Sequence, residues 1–365
     1  MTDPRSPCIV GVARRTLRRE EGLAPEPLDL WEEVSRAAAA DSGAKAVLAS
    51  VDDLALVYSL TWQYDDPTRR LAERLDLSEG RRRSSGMSGT SSQKLLDEAA
   101  EAILEGRSEA ALVVGGELLE SRRRIRKQGG KPAWSHPALE RTPPPFEDPF
   151  HPAELAHEIF QAYLTFALFD VARRAHRGAL PDDYRLEAAR TLAPMTRVAA
   201  HNPHAWFQVE RGAEEIAKAV PENRMVAYPY TKHMVAIMDV DMGAAILLTS
   251  HEKADALGVP RDRRVYLRGW CPARDPAIVC AREELWRSVA MEEASREALA
   301  RAGVGLDDVA HLDLYSCFAS SLHFARDALG LAVDDPRPLT VTGGLPYHGG
   351  PGSNYCAHSV ATMVE

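Results

Sequence analysis

The chain alternates short apolar runs with stretches whose apolar residues recur every three or four positions. Cys8-Ile9-Val10-Gly11-Val12-Ala13 is apolar throughout and stops at Arg14-Arg15, which predicts a buried strand. Leu28 to Ala40 then carries helical periodicity. A polar turn within Val51 to Leu60 feeds another strand, and Pro67 to Leu75 reads as helix. The small, polar stretch Ser84 to Ser92 leads into an amphipathic helix, with Leu95, Leu96, Ala99, Ala102 and Ile103 on one face and Gly106 as its stop. Ala110 to Val114 is a strand closed by Gly115-Gly116-Glu117. Such alternation implies an α/β fold with a largely parallel, buried sheet.

From about Ser121 to Lys232 the pattern changes: prolines break its first part, and helical stretches follow at 153–175 and 182–201. This reads as an insertion that covers something rather than a sheet layer. The core pattern resumes with a strand at Asp241 to Thr249 and a helix at Glu252 to Leu257. Val265 to Gly269 (strand), Leu285 to Ala302 (helix) and Leu306 to Ser316 (turn and strand) then repeat the opening order. Asp52-Asp53-Leu54-Ala55 is echoed by Asp307-Asp308-Val309-Ala310, and Tyr58-Ser59 by Tyr315-Ser316. Two related α/β halves with one insertion between them are expected. Ligands of such folds sit outside the carboxyl ends of parallel strands. That rule brings Gly86 to Ser92 and Tyr315 to Phe318 towards a site.

Near the C-terminus, Thr342 to Tyr355 holds five glycines and two prolines in fourteen residues, which no regular helix or strand tolerates. Cys356 to Val364 follows as a helix. A glycine-rich loop opening a helix offers free N–H groups to an anion or a carbonyl oxygen. A tight surface turn is the other reading.

Composition narrows the class. With 365 residues the chain should hold about two domains. A net charge of −9 argues against wholesale nucleic-acid binding. The basic runs Arg81-Arg82-Arg83 and Arg122 to Lys127 read as solvated faces or as a site for phosphate. Five cysteines lack metal-ligand spacing, so no metal site is expected. No leader and no long apolar run are visible, which suits a cytoplasmic protein without a membrane span. Gly-x-Ser-x-Gly, P-loop and His-Glu-x-x-His signatures are missing.

Over essentially its whole length the sequence resembles the thiolase superfamily. The matching segments are Ile9 to Arg14, Ala99 to Glu117, Asp241 to Ser250, Tyr315-Ser316-Cys317-Phe318, and Gly343-Gly344-Leu345 through Gly349-Gly350-Pro351. The Gly-Gly-Leu-Pro-Tyr run and Pro229-Tyr230-Thr231-Lys232 are similar to the divergent thiolase-like proteins of the sterol-carrier branch. The resemblance implies a duplicated α/β fold layered α-β-α-β-α with an inserted loop domain. It gives an N-terminal half at 1–120 and 233–260, a loop domain at 121–232 and a C-terminal half at 261–365 without its last elements. It also implies CoA or acyl-CoA as ligand, with no covalently bound cofactor.

The chemistry departs from that family. Counting back from Gly106, Gly89 falls where a thiolase carries its acyl-accepting cysteine, and Gly350 falls on the histidine of the Gly-His-Pro loop. Tyr315-Ser316 falls on the family's polar dyad. Candidate catalytic groups are therefore Tyr315 (a general acid), His348 (otherwise an exposed loop histidine), His358 and Cys317, taken as the only cysteine near the site. Gly89, Thr90, Ser91, Ser316, Gly349, Gly350 and Asn354 are candidates for substrate and oxyanion loops, with Ser353 and Asn354 also able to cap the last helix. Arg122, Arg123, Arg126 and Lys232 are candidate CoA contacts. Three functions follow as alternatives: an acyl-CoA-binding protein with little acyl transfer, a retro-aldol lyase on β-hydroxyacyl-CoA, or an acyltransferase with another nucleophile. The lyase would work through Tyr315 with a small OB-fold partner. Homodimer and monomer are both open.

Overall fold

The computed structural model describes residues 3–146, 150–332 and 334–365. Its strands are β1 Pro7–Thr16, β2 Asp53–Leu56, β3 Arg81–Ser84, β4 Ala110–Leu118, β5 Met225–Ala227, β6 Tyr230–Thr231, β7 Asp241–Ser250 and β8 Val265–Tyr266. Its helices are α1 Pro27–Asp41, α2 Pro67–Arg74, α3 Ser91–Leu104, α4 Leu119–Lys127, α5 Pro152–Ala156, α6 Ala162–His176, α7 Pro181–His201, α8 Ala213–Ala217, α9 His251–Ala256, α10 Val289–Ala302, α11 Ala319–Leu329 and α12 Tyr355–Val364. The chain forms two compact units. One gathers Met1–Glu147, Met238–Leu267 and Gly350–Glu365, and the other Asp148–Ile237 and Arg268–Gly349.

In the first unit six strands lie in the order β3-β2-β4-β7-β1-β8. Every residue of β4 and β7 is buried, as expected of central strands covered on both faces. Leu112, Val114, Ala245 and Leu247 point to one face, where Leu28, Trp31 and Val34 of α1 and Leu71 of α2 cover them. Ala111, Val113, Ala244, Ile246 and Leu248 point to the other, under Leu95, Leu96, Ala99 and Ile103 of α3 and Ala357 and Ala361 of α12. The sheet is mixed rather than largely parallel. β2 runs parallel to β3 and β4, whereas β7 is antiparallel to both β4 and β1, and β8 is antiparallel to β1. A continuous apolar run reports burial on two faces and carries no information on direction.

The internal repeat shows as a matching close approach. A Cβ on Gly11 in β1 would run into the carbonyl oxygen of Ala38, one turn before Ser42. A Cβ on Gly269 would run into the carbonyl oxygen of Ala298, one turn before Ala302. Each half thus presses a glycine of its first extended segment onto the backbone of its first long helix.

The second unit differs more from expectation. Leu306–Asp308 is a 3-10 turn, and the stretch up to Ser316 makes no strand. There Leu314 N donates to Leu339 O at 2.9 Å, and the Asp313 carboxylate accepts from the Thr340 hydroxyl and Val341 N, each at 2.9 Å. A side chain, not a ladder, organises this turn. The helix expected at 153–175 is broken into α5 and α6, and the one expected from Leu285 starts at Val289, where the Ser288 hydroxyl accepts from Met291 N at 3.1 Å.

We expect Gly11→Ala and Gly269→Ala each to destabilise their unit by about 3 kcal/mol or more in urea unfolding, the upper range for overpacking. Gly212→Ala, which meets open space, should cost little. Equal stability of all three variants would refute the close approach.

Candidate functional site

In the first unit the starts of α3 and α12 meet. Gly89 precedes Thr90, the exposed residue that opens α3. Ser91 is wholly buried, and its hydroxyl donates to Gly86 O at 2.9 Å, so it is held away from any substrate. Ser92 Oγ accepts from Ala357 N at 3.2 Å and ties the two helices together. Beside it, Cys356 Sγ reaches Gly89 O at 3.7 Å. The cysteine next to Gly89 is therefore Cys356 and not Cys317. The two residues are 267 positions apart, a distance that local pattern does not bridge.

Asn354 holds the N-cap position of α12, but its side chain makes no cap bond, contrary to expectation. It is 1% exposed, and both amide atoms lack a partner. It packs over Gly115, where a Cβ would come within 3.0 Å of Asn354 Oδ1. His358 is fully buried in the same helix.

At the end of β4 the buried Glu117 accepts from Ser59 Oγ at 2.9 Å, from Leu60 N at 2.8 Å, from Thr61 N at 2.9 Å and from the Thr61 hydroxyl. Burial pushes its carboxyl pKa up. The turn so fixed presents the Leu60 and Thr61 carbonyls to Arg122 Nη1, at 2.7 and 3.1 Å. Arg122 and Arg126 line a recess of about 220 Å³ together with Arg141, which sequence reasoning missed. Arg123 turns instead to Glu120, with Nη2 to Oε2 at 2.7 Å. Lys232 is exposed in the second unit.

In the second unit the first part of the glycine loop is buried, not a surface turn. Gly343 and Gly344 have φ of 109° and 77°, values that favour glycine. A Cβ on Gly343 would lie 2.7 Å from Ala199 Cα, and one on Gly344 would lie 2.6 Å from Ser316 Oγ. Ser316 Oγ also accepts from Leu345 N at 3.1 Å. His348 is 0% exposed, which corrects the expected exposed histidine. Its N–H donates to Gly344 O at 2.7 Å and its carbonyl accepts from Trp206 N at 2.8 Å. Tyr347 carries a buried hydroxyl without a partner, and burial pushes its pKa up. Cys317 Sγ lies 3.2 Å from Ser321 Oγ, and burial pushes its thiol up to about 12. Gly349 closes this part of the loop, and Gly350 onward belongs to the first unit.

Among the described residues no His, Cys, Asp and Glu group is arranged to hold a metal ion, and no helix is long and apolar enough to cross a membrane. No family profile and no curated protein sequence matches the chain. Solved structures do. A monomeric SCP2-thiolase-like protein type 1 from Mycobacterium smegmatis is 35% identical at a TM-score of 0.84, over 100% of this chain and 72% of that one. The chain belongs to the SCP2-thiolase-like proteins. The Ltp2-ChsH2(DUF35) aldolase (18% identity, TM-score 0.72, 99% of this chain and 91% of that one) shares the fold. So does human mitochondrial 3-ketoacyl-CoA thiolase in complex with CoA (16%, 0.65, 99% and 91%).

Native alkylation with iodoacetamide at pH 8 should label the exposed Cys280 and spare Cys317 until the chain is denatured. Peptide mass mapping reads the result, and equal labelling rates would show Cys317 to be accessible.

Proposed function

We propose that this thiolase-like protein binds CoA or acyl-CoA thioesters and does not transfer acyl groups through residue 89. One observation carries the reading. The helix start that resembles the thiolase nucleophile site holds Gly89, and the adjacent Ser91 hydroxyl is buried on Gly86 O, while the glycine loop is kept. A retained loop beside a residue 89 without a nucleophilic side chain suits binding of a thioester without acyl transfer at that position. Five free cysteines suit a reducing cytoplasm.

A second reading is supported by Cys356. Its sulfur sits in the first turn of α12, where the helix dipole favours an anion, and rests as a thiol donating to Gly89 O, a bond it would give up on ionising. The thiolate would attack the acyl-CoA carbonyl, the carbon–sulfur bond to CoA would break, and CoA would leave as thiolate and take up a proton. A third reading is a lyase acting through Tyr315.

Calorimetric titration with CoA should give saturable binding, and a flat titration removes the proposal. Incubation with acetyl-CoA should leave the intact mass unchanged. A gain of one acetyl group that disappears in Cys356→Ser selects the second reading, and aldehyde release from a β-hydroxyacyl-CoA selects the lyase.

A further inference from the structure

The guanidinium groups of Arg122, Arg126 and Arg141 line one recess in the first unit. Arg122 and Arg126 are four apart on α4 and so share one face. Arg141 comes from the proline-rich stretch that follows. That stretch is pinned by Ala138 N to Gln63 O at 2.8 Å and by Gln63 Nε2 to Thr142 O at 2.6 Å. All three line the recess of about 220 Å³, with Tyr58, Trp62 and Gln63 in its wall. Among the described residues none of the three forms a salt bridge, whereas the neighbouring Arg123 pairs with Glu120. The crowding has an electrostatic consequence. Burial pushes the Arg122 pKa down and the charges of Arg126 and Arg141 push the same way, against the opposing pull of the Glu117 and Asp239 carboxylates. Gln63 Oε1 adds a buried acceptor without a partner.

We propose that this recess binds the phosphate or diphosphate group of a small ligand. Planar guanidinium forks match phosphate oxygens two at a time, and a dianion would relieve the repulsion among the three cations. Arg122 is already held by the Leu60 and Thr61 carbonyls, so little ordering remains when the ligand arrives. Gln63 Oε1 can accept from a ligand hydroxyl or from a protonated phosphate oxygen. The recess suits a diphosphate and not a whole nucleotide, so the ligand body extends outward from it. The identity of that body as CoA rests on the function proposed above, but the anion site does not.

Calorimetry with inorganic pyrophosphate at low salt tests the site. The expected result is saturable binding, weakened at least tenfold in Arg126→Gln and in Arg141→Gln and unchanged in Arg123→Gln. Arg126 and Arg141 are exposed, so their loss leaves the fold intact. Absence of pyrophosphate binding, or equal binding by all variants, overturns the proposal whatever CoA does. If pyrophosphate binds with this pattern and also displaces CoA, the phosphate end of CoA is the occupant. If it binds with this pattern and CoA does not bind at all, the site stands and the CoA reading falls.

Discussion

A wholly buried carboxylate, Glu117, sets the arrangement of the first unit. Leaving such a charge unsatisfied would cost several kcal/mol, so the chain surrounds it with the donors of Ser59, Leu60 and Thr61. Those bonds fix the turn after β2. Thr61 Oγ1 accepts in turn from Leu118 N at 2.8 Å, which locks the turn to the end of β4. The carbonyls on the far side of the turn then hold Arg122. On the near side Gly352 lies so close to Glu117 that a Cβ would collide with its carboxylate. One acid thereby places both an arginine recess and the second part of the glycine loop.

The second unit relies on a similar device built from other residues. Asp170 on α6 is fully buried and accepts from Tyr184 OH at 2.6 Å, from the Tyr230 hydroxyl and from Ser320 N at 3.2 Å. These donors come from α7, β6 and α11. Burial, with the Asp170 charge beside them, pushes both phenol pKa values up. The phenols therefore stay protonated donors and keep the acid satisfied. Both acids serve the scaffold by gathering donors from separate elements.

Much of this scaffold was legible in the sequence. The face Leu95, Leu96, Ala99, Ala102 and Ile103 is the face α3 buries, because a helix that covers a sheet must show its apolar stripe locally. The duplication was read from the repeated order of elements and the echo of Asp52 to Ala55 in Asp307 to Ala310, and in the structure the same close packing of glycine on helix recurs. The direction of β7 was not legible, since an apolar run looks alike in either orientation. The contact of Cys356 with Gly89, the orphaned amide of Asn354 and the convergence of Arg141 on Arg122 were also hidden. Each depends on chain segments that local periodicity does not relate.

Backbone conformation separates the glycines kept for shape from those that matter for chemistry. Gly343, Gly344, Gly349 and Gly352 all have positive φ, between 54° and 109°, so an L side chain at any of them would strain the loop. Gly350 and Gly89 do not belong to that set. At these two positions φ alone does not demand glycine. What glycine removes there is a side chain, while the surrounding loop keeps its geometry. At Gly89 the carbonyl is in contact with the Cys356 thiol from the facing helix. The backbone of the loop thus demands glycine at four positions, a demand that φ does not make at residues 89 and 350.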